Sequence, residues 1–353
     1  MLTALAAALP VLPASAGTPT LDPITFETQV GGCPAGYATP GQQVNVTLKE
    51  ADGTSIGSSF TWAEGGGFWQ VCLGPAATAG RRITASYSAG QLERTVTVPR
   101  ITAVLDRVTN RARGTAAPGA TLMIELWTCV PGDCSIASQA NVTAAVGGPT
   151  KGRWSKTYTA VDPAGGDHVR AYRITTSDAG EDRFFVEAYA PQLTVRATQP
   201  WNAGLLAAKT GEVAVEILER TGRVRGRITH RFLRPTYRVL TFKKNGVRVT
   251  PRPGDRIVST TLAPDVAMTL PTSLTVEMDA LGDQIRVRCF ANQRYQITII
   301  PAGGGDARFL RGTTPGSGLI SVAEPLDALD TAFVECRHKR GDRLLLRGEA
   351  PPP

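Results

Sequence analysis

Histidine is almost missing. His168, His230 and His338 are the three in 353 residues, and no two of them stand at the spacing that binds zinc. No dense run of Asp and Asn forms a calcium loop either, so the sequence announces no metal and no cofactor. Long stretches with 3.6-residue periodicity and capping boxes are also missing, which excludes a mainly helical chain. Beyond the first residues, no run approaches the roughly 18 apolar residues that a membrane span needs. Aromatics make up only 6%, yet 42% of the residues are hydrophobic, and Gly 37 and Pro 25 punctuate them. That is a turn-rich folded chain and not a disordered one.

What the chain has is repetition. Gly80-Arg81-Arg82-Ile83, Gly166-Asp167-His168-Val169, Gly254-Asp255-Arg256-Ile257 and Gly341-Asp342-Arg343-Leu344 place their glycines 86, 88 and 87 residues apart. A fixed period of this length marks tandem units, each long enough to bury a small core. Short runs alternate within each unit: Val44, Val46 and Leu48 after Pro40-Gly41, and Leu122, Ile124 and Leu126 after Pro118-Gly119. The later counterparts are Val213, Val215 and Ile217, and then Tyr295, Ile297 and Ile299. Period-two alternation gives one buried and one wet face, as in a sandwich strand. The expectation is an all-β chain of four tandem immunoglobulin-like β-sandwich domains forming an extended rod, at 18–98, 99–190, 191–270 and 271–353.

The first residues form an apolar leader followed by Ala14-Ser15-Ala16-Gly17, so 1–17 reads as a signal peptide and the chain as secreted or cell-surface. Six cysteines agree with export. Fifteen pairings are open in principle, and pairing inside each repeat gives Cys33 with Cys72, Cys129 with Cys134, and Cys289 with Cys336. The ending Gly348-Glu349-Ala350-Pro351-Pro352-Pro353 has a linker composition.

The first two repeats resemble bacterial immunoglobulin-like repeats of surface and secreted proteins. The resemblance rests on Pro40-Gly41-Gln42-Gln43-Val44-Asn45-Val46, the Asp52-Gly53 turn, Gly67-Phe68-Trp69, Pro118-Gly119-Ala120-Thr121-Leu122 and Gly152-Arg153-Trp154. It implies a sandwich fold and a role in adhesion, spacing or carbohydrate contact, with no shared catalytic residues. Gly53-Thr54-Ser55-Ile56-Gly57 matches a hydrolase nucleophile elbow in letters, but it follows a hairpin turn and its repeat holds no histidine. Arg340-Gly341-Asp342 reads as a structural turn.

Between Arg220 and Arg256 stand twelve Lys or Arg against one acid, so this stretch carries +11 and the remainder −3 of a net +8. Arg223, Arg225, Arg227 and Arg231 share one parity, which predicts a basic strand face. Asn245-Gly246 predicts a hairpin that sets Lys243 opposite Arg248. Such a face suits an acidic surface polymer, glycan or neighbouring protein. Nucleic acid suits it less, because stacking grooves need exposed aromatics. The function expected is therefore a non-catalytic structural or adhesive one. The alternatives are a self-assembling filament or surface-layer subunit, and a carbohydrate-binding accessory region with Trp62, Trp69, Trp127 or Trp154 exposed.

Overall fold

The computed structural model describes residues 21–130, 133–197, 203–207, 211–233, 236–259, 261 and 266–351. The leader expected at 1–17 lies outside the described residues. Strands in the first half are β1 Thr25–Gln29, β2 Ala35–Tyr37, β3 Gln43–Lys49, β4 Ser55–Trp62, β5 Phe68–Gln70, β6 Arg82–Tyr87, β7 Arg94–Thr97, β8 Thr102–Asp106, β9 Arg111–Thr115, β10 Thr121–Val130, β11 Asp133–Thr143, β12 Arg153–Thr157, β13 His168–Ser177 and β14 Gly180–Tyr189. The second half holds β15 Gln192–Arg196, β16 Ala203–Ala207, β17 Gly211–Leu218, β18 Val224–Phe232, β19 Thr236–Leu240, β20 Lys243–Lys244, β21 Val247–Arg248, β22 Arg256–Ser259, β23 Val266–Thr269, β24 Val276–Asp279, β25 Gln284–Arg288, β26 Arg294–Ile300, β27 Arg308–Thr313, β28 Leu319–Ala323, β29 Thr331–Arg337 and β30 Arg343–Glu349. The chain is all-β; among the described residues the helical content is two single 3₁₀ turns.

The strands join the repeats in pairs. One seven-stranded sheet runs β11-β10-β13-β14-β1-β2-β5, and the second runs β19-β16-β15-β30-β29-β26-β27. In each, the first strand of the earlier repeat lies parallel to the last strand of the later one: Thr28 opposite Phe184, and Val195 opposite Leu344. Over the first sheet lie β4-β3-β6-β7 and β12-β9-β8; the second half has β21-β20-β18-β17-β22-β23 and β24-β25-β28. The buried apolar side chains follow the same division. One cluster spans Ile24 to Ala190 and the other Leu193 to Ala350. Parallel pairing of distant strands has no local sequence signature, so an 87-residue period conveys the strands without the grouping.

Trp69 and Trp154 anchor equivalent places in the first two repeats, 1% and 3% exposed. Each ring lies over a glycine of the next strand, since Trp69 pairs with Gly36 and Trp154 with Gly114. In the fourth repeat the matching positions are Ile320 and Val287, also paired. A large ring over no side chain has been exchanged for two medium side chains, which fills a similar volume and explains how this repeat dispenses with the Trp. The three disulfides join Cys33 to Cys72, Cys129 to Cys134 and Cys289 to Cys336.

The fourth Gly-Asp signature corresponds to a different turn. In the first two repeats the recurring turn is closed by a reciprocal pair of bonds, Gly80 with Val98 and Val98 with Arg81, and Gly166 with Ala190 and Ala190 with Asp167; in the third, Leu270 donates to Asp255 in the same way while Gly254 donates one residue further on, to Pro271. In the fourth repeat Leu329 donates to Ala350 and Ala350 to Asp330. The equivalent of Gly-Asp is thus Leu329-Asp330, and Gly341-Asp342 belongs to the β29–β30 hairpin. Gly80, Gly166, Gly254 and Leu329 all have a left-handed backbone, with φ of 90°, 91°, 77° and 69°; Gly341 shares it at 82°, so the hydrogen bonds decide the match. A leucine there carries left-handed strain of about 1–2 kcal/mol, against roughly 0.5–1 kcal/mol of added chain entropy for glycine. Leu329→Gly is expected to stabilise the chain by about 0.5–1 kcal/mol in urea melts.

Candidate binding surfaces

β18 alternates as its sequence requires: Gly226, Ile228 and Phe232 are buried while Arg227 and Arg231 are exposed. The neighbouring strand β17 supplies acids on the same face. Arg227 pairs with Glu216 through Nε at 2.9 Å and a second guanidinium nitrogen, and Glu212 stands in register opposite Arg231. Arg225 binds Asp255 and donates to the Thr250 carbonyl at 2.7 Å. Glu212 and Glu216 precede the basic stretch in sequence, so a charge count along the chain overstates the charge on the face. What stands out from it is the tip. Asn245 and Gly246 take φ of 51° and 80°, the two-residue hairpin geometry, and Lys243 pairs with Arg248. Arg223, Lys243, Lys244 and Arg248 are exposed there.

A second polar cluster lies where the two halves of the chain meet. Arg107, in the turn after β8, reaches Asp342 across the junction; both side chains are 0% exposed and the closest approach is 3.1 Å. Asp342 also accepts the Leu193 N–H at 2.8 Å, as Asp182 accepts the Phe26 N–H at 3.1 Å in the first half. Gln192 donates to the carbonyls of Gly165 and Gly341 at 2.7 and 2.9 Å. Arg337 donates to the Cys129 carbonyl from the far side. The Asp of Arg340-Gly341-Asp342 is therefore a buried junction residue. A cleft of about 490 Å³ beside it is lined by Asp162, Asp167, Arg294, Arg337 and Lys339 among others.

His168 stands at the wall of this region, stacked on Trp127 with ring centroids 5.8 Å apart and tilted against Tyr189. Burial pushes its pKa down, the Glu187 carboxylate opposes that, and Arg170 reinforces it. The folded state thus favours the neutral ring, and the unfolded chain binds the extra proton below the usual value near 6.5. Stability is present above about pH 6.5 and is lost as pH falls through the depressed folded pKa. Thermal melts are expected to show this acid softening, and His168→Gln to flatten it.

Of the four tryptophans weighed as sugar platforms, Trp69 and Trp154 are buried and Trp127 is covered by His168 and Arg170. Trp62 is different. It is 59% exposed and Phe60, on the same face of β4, is 57% exposed. Gln43 and Asn45 stand opposite them on β3. Gly53–Gly57 leads from a hairpin turn into β4, so Ser55 begins a strand, whereas a nucleophile elbow requires a strand-to-helix turn.

No protein-family model matches the chain, and no curated protein matches it. Among solved structures it is similar to a tetra-tandem repeat in the extending region of a large adhesion protein, at 14% identity over 94% of this chain and 100% of that one, with a TM-score of 0.18. The trypsin-activated alpha-2-macroglobulin of Escherichia coli matches at 10% identity over 94% of this chain and 41% of that one, with a TM-score of 0.19. The BSP domain of a biofilm associated protein matches at 8% identity over 97% and 99%, with a TM-score of 0.19. Scores this low do not describe a shared arrangement.

Proposed function

We propose that this chain is a non-catalytic structural and adhesive segment of a secreted or cell-surface protein. The observation that carries the reading is the way the repeats are fastened. Parallel strands join them in pairs, and the buried Arg107–Asp342 pair ties one pair to the next. Such fastening suits a spacer that holds a binding surface away from its base. Three disulfides support an oxidising compartment. The contact surface is the basic tip at Arg223, Lys243, Lys244 and Arg248, which docks an acidic polymer or neighbour through Coulomb attraction that salt screens.

Negative-stain electron microscopy at low and high salt tests this. Isolated particles at both salts are expected. Filaments or sheets that form at low salt and dissolve at high salt would make the tip an assembly interface, and the spacer reading would be abandoned.

Phe60 and Trp62 favour a second reading, in which the first repeat contacts carbohydrate by ring stacking. Neutral glycan then quenches tryptophan fluorescence, and Trp62→Ala abolishes the quenching while Trp127→Phe retains it.

A further inference from the structure

The three-stranded sheet of the second repeat carries a cationic face. Its strands run β12-β9-β8, and their outward residues fall into rows: Arg153, Thr115, Thr102; then Ser155, Arg113, Val104; then Thr157, Arg111, Asp106. Arg111, Arg113 and Arg153 are exposed. They line an open groove of about 700 Å³ with Thr115, Thr143 and Ser155, and among the described residues no acid lines it. Arg111 donates to the Ser155 hydroxyl at 2.7 Å. Asp106 faces Arg111 across the sheet and interacts electrostatically with Arg113, but its carboxylate accepts the N–H groups of Val108 and Thr109 at 2.9 and 3.3 Å.

The fourth repeat supplies an internal comparison. There Arg286 takes the place of Arg113 and stands directly opposite Glu277, while Gln284 and Leu319 take the places of Arg111 and Arg153. With Arg288 in the place of Thr115 and Asp279 in that of Asp106, the same sheet face carries two arginines against two acids in the fourth repeat and three against one in the second. Fold alone does not require the arginines.

We infer that this groove binds a strand of acidic polysaccharide, with carboxylates on its sugars held by the three guanidinium groups and sugar hydroxyls by Thr115, Thr143 and Ser155. Guanidinium matches carboxylate in a planar, bidentate way, and an open groove admits a chain passing through. Single-stranded nucleic acid fits less well, because the groove's aromatic, Trp154, is 3% exposed and offers no stacking face. An acidic peptide added as a strand also fits less well. The start of β12 is already covered, as the Ala145 N–H bonds the Arg153 carbonyl at 2.9 Å and the Gly152 N–H bonds the Ala145 carbonyl at 2.7 Å.

Fluorescein-labelled polygalacturonate, titrated with the full chain by anisotropy across a salt series, tests the inference. Saturable binding that weakens with salt is expected, with Arg113→Ser weakening it roughly tenfold and the Arg111→Ser, Arg113→Ser, Arg153→Ser triple roughly a hundredfold. Arg286→Ser, on the balanced face, is expected to leave binding unchanged. All four positions are exposed, and circular dichroism checks that each variant is folded. Because the tip proposed above also attracts acidic polymers, the titrations are repeated on Lys243→Ser/Lys244→Ser/Arg248→Ser: saturable binding that survives there and falls with the groove triple is expected, whereas no saturable binding on that background, or a groove triple that binds as its parent does, would overturn the site. Polyuridylate or polyglutamate binding as tightly as the glycan would overturn the ligand class.

Discussion

Asp342→Ala is expected to destabilise the chain by about 3–5 kcal/mol, because it leaves the Arg107 guanidinium buried without its carboxylate. The pair is fully enclosed, with Arg107 nitrogens at 3.2 and 3.1 Å from the two carboxylate oxygens and a third bond to the Arg340 carbonyl at 2.9 Å. Desolvating both ions offsets much of their attraction, so the pair is worth little beside an apolar substitute, whereas half a pair is costly. The double variant Arg107→Met/Asp342→Leu is therefore expected to recover most of the loss. Asp342→Asn separates the two roles of the carboxylate, since its amide oxygen still accepts the Leu193 N–H but no longer balances Arg107. Urea melts of the four proteins check the order: unmodified, then the double variant, then Asn, then Ala.

The second large effect is expected at Gly114. A Cβ placed there would lie 1.8 Å from the Thr102 carbonyl oxygen and 2.8 Å from a Trp154 ring carbon. Neither the paired backbone nor a ring 3% exposed can withdraw without moving the sheet, so Gly114→Ala is expected to cost about 3 kcal/mol or more. Gly36 repeats the arrangement under Trp69, at 1.8 Å from the Thr25 carbonyl and 2.9 Å from the ring. The fourth repeat shows the remedy in Val287 and Ile320. Gly114→Val/Trp154→Ile is expected to melt above Gly114→Val alone, since removing the ring frees the volume that the valine takes. The Thr102 oxygen stays in place, so the recovery is partial.

These two sites differ in how far the sequence betrays them. Trp69 and Trp154 sit in Gly-x-Trp turns within alternating strands, and local pattern is enough to mark them as core. The Asn245-Gly246 hairpin is legible for the same reason: two adjacent residues determine its geometry. Arg107 carries no such mark. It follows a strand like many surface arginines, and its partner lies 235 residues away. Leu329 hides the fourth turn because leucine gives no hint of a left-handed backbone, while Gly341-Asp342, twelve residues on, has the right letters in the wrong hairpin.

The candidate surfaces divide in the same way. The basic stretch of the third repeat is conspicuous because its charges are consecutive, yet Glu212 and Glu216 balance part of it from the next strand. The groove of the second repeat rests on Arg111, Arg113 and Arg153. Arg111 and Arg113 stand two residues apart in a sequence rich in arginine, and only the register of β9 and β12 sets Arg153 in the adjoining row.

The pairing of repeats is the central claim, and single-molecule pulling on the full chain tests it most directly. With the disulfides intact, the loops they close stay shut. If β1–β14 and β15–β30 make each pair of repeats one cooperative body, unfolding occurs in two steps of about 40 nm each, the length of roughly 110 to 125 freed residues. Four separate smaller steps, one for each 87-residue repeat, would contradict the claim.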